Sequence, residues 1–339
     1  MQQPPLPTDT PTGPVPPYHG VRPFESAPPV QGVARRTVNV RTPDGITLAG
    51  SLRVPKDAPL PAPAVLLSPP APAAVSDQSV VAGYAARLTA AGYVTLALDP
   101  RNFGHSGGSP RQHFDAGARV RDLQAATSHL TSLPEIVDPA RIGAFGASAG
   151  AADALGLAAH DPRVTAFVGV CGPFLNPRLL RQLLGADAYD QQLRETFAGL
   201  QRYHLTGELD YIPVVTPDGK GAFIPAVAPH PTEGFDYYAS QRGASERFEN
   251  RVTTISRHAV LAFDTLTPAE FVGSWAGLLI AGSEDVYVPL EGIHEAHRRL
   301  TGPKDLVVVD GATHTDLYDN APYVATVTQA TLAWFAEHL

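Results

Sequence analysis

Residues 141 to 160, RIGAFGASAGAADALGLAAH, constrain the fold more than any other stretch. An apolar run passes without a linker into a helical pattern of small residues, and the joint between them is Gly146-x-Ser148-x-Gly150. The joint reads as a tight turn between a strand and a helix, as in a nucleophile elbow. The run before the joint is apolar at successive positions, as in a strand buried on both faces. A sheet with two covered faces is the parallel sheet of an α/β fold.

Other stretches repeat the pattern. ARRTVNVRT and ITLAGSLRVP alternate apolar and polar residues around PDG, which reads as a hairpin. PAVLLSPP, YVTLALDPR, VTAFVGVCG, WAGLLIAGS and DLVVVDGA read as short buried strands, with helical spacing between them. The expected fold is α/β: a mostly parallel, doubly wound sheet with an antiparallel hairpin at one edge. Between Cys171 and Trp275 the connection is far longer than one helix and two short loops. Within it, LNPRLLRQLLGADAYDQQLRETFAGLQRYHL looks helical and IPVVTPDGKGAFIPAV looks like a small hairpin. We expect a core at 33–172 and 261–339, with 173–260 inserted as a cap over the C-terminal strand ends, where open α/β sheets bind ligands. Residues 1–32 are rich in proline and aperiodic, and are read as an arm outside the core.

The net charge is −8 and no basic stripe is present, which argues against a nucleic-acid partner. The single cysteine, Cys171, excludes an intrachain disulfide and reads as a small buried hydrophobe. No apolar run reaches the ~18 residues of a membrane span. The N-terminus has neither the basic nor the apolar region of a secretory signal, so a cytoplasmic location is expected.

A serine hydroxyl becomes a nucleophile only with a base beside it and donors for the oxyanion. Strand WAGLLIAGS leads into Glu284 and Asp285, and strand DLVVVDGA leads into His314. The order Ser, acid, His, each after a strand of one parallel sheet, is the order of an α/β-hydrolase triad. Ser148 would attack a carbonyl, His314 would take its proton, and Asp285 would hold the histidine tautomer, with Glu284 as the alternative acid. One oxyanion donor is expected from the N–H of Ala149. Pro69, Pro70 and Pro72 have no N–H, which leaves Ala71 as the second donor, with Ala73 and Ala74 behind it. Among the insertion's aromatics, Tyr189, Tyr211 and Tyr237 are candidates to line the substrate pocket, although they could equally form the insertion's own core. His294 and His297 lack metal-site spacing and read as a helix face. Asp99, Arg101 and Asn102 read as braces of a turn, and His113 and His129 as surface residues.

Several stretches resemble the YcjY-like branch of the α/β-hydrolase superfamily and the related cocaine-esterase and X-Pro dipeptidyl-peptidase hydrolases. They are DPRNFGHSGGSPRQ, FGASAG, NRVTTIS, GSEDVYVP and GATHTDLYD, and the resemblance spans about 33–339. It implies a serine hydrolase with Ser148, Asp285 and His314 in the roles given above. One departure is SPPAPAAVSDQ, where such relatives often carry a His-Pro-Gly-Gly-like loop.

The expected activity is cleavage of a carboxylic ester or thioester of a small-molecule acyl substrate, with no metal or organic cofactor and no membrane partner. A homodimer is left open. The alternatives are acyl transfer, cyclisation or elimination in polyketide or fatty-acyl biosynthesis, an aminoacyl or X-Pro peptidase, and a ligand-binding receptor of the same fold.

Overall fold

The computed structural model describes residues 33–70 and 72–339. The N-terminal arm and Ala71 lie outside the described residues. In chain order the elements are β1 (Val33–Arg41), β2 (Thr47–Pro55), β3 (Ala62–Ser68), α1 (Ser79–Ala90), β4 (Val94–Leu98), α2 (Ala116–Thr131), β5 (Val137–Ala147), α3 (Ala149–His160) and β6 (Val164–Val170). Then come α4 (Pro177–Leu184), α5 (Ala186–Thr206), β7 (Tyr211–Ile212), α6 (Glu233–Tyr238), β8 (Val252–Thr253) and α7 (His258–Leu261). The chain closes with β9 (Ala276–Gly282), α8 (Leu290–Arg299), β10 (Lys304–Val309), α9 (Asp316–Asp319) and α10 (Ala321–His338).

Eight strands form one sheet in the order β1-β2-β4-β3-β5-β6-β9-β10. The β1–β2 and β2–β4 pairs are antiparallel and the remaining pairs are parallel, so the hairpin is the antiparallel edge expected from the sequence. Successive residues of a strand face opposite sides. Val65 and Leu67 of β3 therefore join a layer with Val81, Tyr84, Val327 and Phe335, from α1 and α10. Ala64 and Leu66 join the opposite layer with Leu123, Leu155 and Ile293, from α2, α3 and α8. Both faces are covered, which is why the strands read as unbroken apolar runs.

Between β6 and β9 the chain adds no strand to this sheet. The helical stretch expected there is two helices, broken at Gly185, whose φ of 82° suits glycine. The expected hairpin closes through Phe223 N–H to Pro213 O and Ile224 N–H to Val214 O, both at 2.9 Å. Its start, β7, pairs with β8 in a small separate sheet.

Candidate active site

Ser148 stands between β5 and α3 with φ 52° and ψ −125°. For a residue with a side chain this conformation costs about 1–3 kcal/mol and persists only where packing imposes it. The packing is backbone against backbone. A Cβ on Gly146 would lie 1.8 Å from the carbonyl oxygen of Gly150, and one on Gly150 would lie 2.1 Å from that of Ser68. The Ser148 N–H donates to the Val170 carbonyl at 2.8 Å, which ties the turn to β6. Ala149 is the first residue of α3, so its N–H belongs to the set a helix leaves without an intrahelical partner. Ala73 and Ala74 are buried in the core. Ala71, the other expected donor, is outside the described residues.

The acid and histidine loops meet at the ends of β9 and β10. A Cβ on Gly282 would lie 2.3 Å from the Ala312 carbonyl, so the two loops run in direct backbone contact. Asp285 Oδ2 lies 2.6 Å from His314 Nδ1. Asp285 Oδ1 accepts the N–H groups of Tyr287 (2.9 Å) and Val288 (3.0 Å). The Asp285 side chain is 1% exposed, whereas Glu284 is exposed. Glu284→Gln should therefore change stability by less than about 0.5 kcal/mol and leave turnover unaltered, as a denaturation curve and an ester assay would check.

Because Asp285 accepts at Nδ1, the proton of neutral His314 sits there and Nε2 carries the lone pair. Burial pulls the His314 pKa down. The Asp285 charge, assisted by Cys171, outweighs it and holds the imidazole well above its ordinary value. The Tyr318 hydroxyl lies 2.9 Å from Nε2. Tyr318 was missed in the sequence. Its only signal is a spacing of four from His314, across the entry to the short helix α9.

Cys171 is fully buried, as expected, but it is more than core filling. Its φ is 43°, and its sulfur lies within 4.8 Å of the facing atoms of Asp285 and His314. This is the only metal-ligand-like group among the described residues. The direct Asp285–His314 hydrogen bond leaves no space for an ion between those two members.

The connection between β6 and β9 makes polar contacts with the acid and histidine loops and with the loops after β3 and β4. Glu233 Oε1 accepts the Thr315 N–H at 2.6 Å. Arg242 pairs with Asp319 at 2.7 Å, and Arg247 pairs with both Asp77 and Asp99. The Tyr287 hydroxyl accepts the Gly234 N–H at 3.0 Å, and burial pushes its pKa up to about 12.

The pocket candidates scatter. Tyr189 donates its hydroxyl to Leu261 O at 2.7 Å and packs with Leu180 and Leu261 in a separate cluster. Tyr211 is 38% exposed and carries the Arg251 guanidinium over its ring. Tyr237 is buried, with its hydroxyl on Ser79 at 2.9 Å and its ring edge-on to Tyr318. It backs Tyr318 and does not meet the histidine itself.

Asp99 and Arg101 brace turns as expected. Asp99 Oδ1 accepts from the Ser76 backbone and hydroxyl, and Arg101 bridges Asp122 and Asp44. His113 is not a surface residue, since its Nδ1 lies 2.9 Å from the Thr253 hydroxyl and burial lowers its pKa.

No protein-family model matches the chain. It is 28% identical over 295 residues to a thiohydrolase of Eupenicillium brefeldianum, with 85% of this chain and 90% of that protein covered. It is 29% identical to the uncharacterized protein PA2218 of Pseudomonas aeruginosa, covering 91% of this chain and 81% of that one. The crystal structure of PA2218 superposes with a TM-score of 0.80 over 93% of this chain and 97% of that chain. The polyketide transferase GrgF of Penicillium sp. is 27% identical over 83% of this chain and 90% of its own. The crystal structure of GrgF, described as an alpha/beta hydrolase, gives a TM-score of 0.74 over 90% of this chain and 99% of that chain. Among the described residues, no helix is long and apolar enough to cross a membrane. Sheet order, strained serine turn and structural neighbours agree: the chain has the α/β-hydrolase fold and is similar to proteins of that superfamily.

Proposed function

We propose that the protein transfers an acyl group from a small ester or thioester to Ser148 and then to water. Ser148 is the nucleophile, His314 the base and Asp285 its orienting acid. The insertion, about 173–260, is the cap of the site. The observation that carries this reading is the 2.6 Å Asp285–His314 pair. It sets the histidine with a lone pair on Nε2, at the same end of the sheet as a serine held in a strained turn at a helix N-terminus. A thioester is supported by the name of the thiohydrolase relative.

Transfer to an acceptor other than water is the second reading. It is favoured by the polar ties that hold the insertion against the His314 loop, since a closed site keeps water from the acyl-enzyme. The polyketide transferase relative points the same way.

The test is intact-mass spectrometry after a fluorophosphonate, beside turnover of a short p-nitrophenyl ester and an N-acetylcysteamine thioester with and without an added amine or alcohol. One adduct mapping to Ser148, absent in Ser148→Ala together with turnover, is the expected result. Turnover that survives Ser148→Ala would refute the reading. Product partitioning toward the added acceptor would select transfer over hydrolysis.

A further inference from the structure

In a simple serine–histidine pair the base nitrogen takes the nucleophile's proton directly. Here the lone pair of His314 Nε2 faces the phenol of Tyr318 at 2.9 Å, and with Nδ1 protonated the phenol is the donor. This phenol is not free to swing away. Its ring is 3% exposed and packs edge-on between Tyr237 (5.0 Å) and His314 (5.3 Å). The short helix α9 that carries it is pinned twice. Tyr84 donates to the Leu317 carbonyl at 2.6 Å, and Arg242 holds Asp319 through two hydrogen bonds of 2.8 and 2.7 Å.

The serine turn is at the same place, since the Ser148 N–H is bonded to Val170 and the next residue, Cys171, lies within 4.8 Å of the facing atoms of Asp285 and His314. Burial pushes the Tyr318 pKa far up and the neighbouring Tyr238 adds to the push, while a hydrogen bond from Ser148 pulls the other way. The phenol therefore stays protonated at neutral pH, donating with its proton and accepting with its oxygen. It is hydrogen-bonded to the proposed base and lies beside the strand ends that carry the proposed nucleophile.

We propose that Tyr318 relays the proton of Ser148 to His314, an inference that rests on Ser148 being the nucleophile. As Ser148 Oγ bonds to the acyl carbon, its O–H bond breaks and Tyr318 Oη takes that proton. The phenolic O–H breaks in the same step, and Nε2 takes its proton. The carbonyl π pair moves to the substrate oxygen. Tyr318 ends neutral, and the new imidazolium is paired with Asp285. When the tetrahedral adduct collapses, the Nε2 proton returns through Oη to the leaving alkoxide or thiolate, and an attacking water later uses the same path. In this relay Tyr318 is a catalytic residue, passing a proton between two reacting atoms.

The experiment compares wild type, Tyr318→Phe, Ser148→Ala and a chain with 3,5-difluorotyrosine at 318. Each is assayed for ester kcat and KM across pH and for the rate of fluorophosphonate labelling. A relay predicts a fall of about 10²-fold or more in kcat and in labelling for Tyr318→Phe, with KM little changed, the size expected for a lost proton-transfer contribution. It also predicts that the difluoro chain, whose phenol is more acidic but nearly the same shape, loses activity at a lower pH than wild type. A purely structural phenol would not move that limb. Labelling by Tyr318→Phe at or above the wild-type rate would overturn the relay, because the phenol would then be a spectator or a block on the base. If Tyr318→Phe does not fold, the difluoro profile decides alone, and an unmoved limb overturns the relay. Activity that survives Ser148→Ala would instead remove the nucleophile reading. Ser148→Ala dead with Tyr318→Phe fully active removes only the relay.

Discussion

Asp285→Asn should lower kcat/KM by about 10⁴-fold, the size expected when a triad histidine is held in the wrong tautomer. The loss follows from how Asp285 is held. One carboxylate oxygen accepts from His314 Nδ1, and the other accepts two backbone N–H groups, from Tyr287 and Val288. An asparagine has one acceptor oxygen. The two backbone donors claim it, because facing them with an NH₂ would leave two N–H groups unpaired. The amide nitrogen then faces Nδ1 and donates to it. The imidazole proton moves to Nε2, and the lone pair needed to accept a proton is gone.

The same substitution should move the acid limb of the pH profile. Activity requires neutral His314, so the rate rises with pH as the imidazole loses its proton. Burial pulls the His314 pKa down, and the Asp285 charge is the largest of the opposing pulls. In wild type the limb lies above the ordinary imidazole value of about 6.5. In Asp285→Asn burial acts with much less opposition, so the limb moves to lower pH while the plateau falls. A kcat/KM profile from pH 5 to 9 reads both effects. An unmoved limb with a rate close to wild type would mean that Asp285 neither charges nor orients the base.

What could be read from the sequence was what the backbone requires. The Gly146 and Gly150 requirement is a matter of main-chain distance, and any residue with a Cβ would break the turn. The parallel sheet follows from strands that are apolar on both faces. The positions of Ser148, Asp285 and His314 follow from strand ends that must share one edge of such a sheet. Side-chain aim is not set at that level. Nothing in GATHTDLYD says that Tyr318 meets Nε2 and not the core, because both outcomes put an aromatic ring on the same face of one short helix. The insertion shows the same limit. Tyr189 and Tyr237 are both buried tyrosines on insertion helices, yet one closes a satellite cluster with Leu180 and the other backs the site through Tyr318. Their difference lies in tertiary contacts made across long chain separations, which local pattern does not encode. Cys171 is a third case. Its burial follows from the apolar strand it ends, but its place against His314 depends on the pairing of β6 with β9.

Arg119→Ala is the substitution with the largest expected effect on stability. Arg119 and Asp153 are 4% and 5% exposed and pair at 2.8 Å. The Ser68 hydroxyl donates to Asp153 at 2.7 Å, and Arg119 also donates to Ser68 Oγ and to the Pro69 carbonyl. These contacts join three elements. α2 supplies the cation, α3 the carboxylate and the end of β3 the two oxygens, at the entry to the loop expected to hold the second oxyanion donor. A cavity of about 20 Å³ beside them, lined by Ser68, Pro69, Asp99, Arg119 and Asp122, is large enough for one water, and Arg119 Nη1 has no protein partner. Removing the arginine leaves a buried carboxylate whose charge nothing opposes, at a cost of about 3–5 kcal/mol. Burial already raises the Asp153 pKa and Arg119 is the first influence holding it down, so the variant's Asp153 should be raised further. A carboxyl with a raised folded pKa gives no deficit below the ordinary carboxylate value. The deficit grows as pH climbs from there toward the folded pKa, because the unfolded chain loses its proton first. Urea unfolding of Arg119→Ala should therefore show a smaller deficit near pH 4 than near pH 7, and Arg119→Met with Asp153→Leu should recover much of it. A deficit that is equal at both pH values would place the cost in lost packing and not in the uncompensated charge.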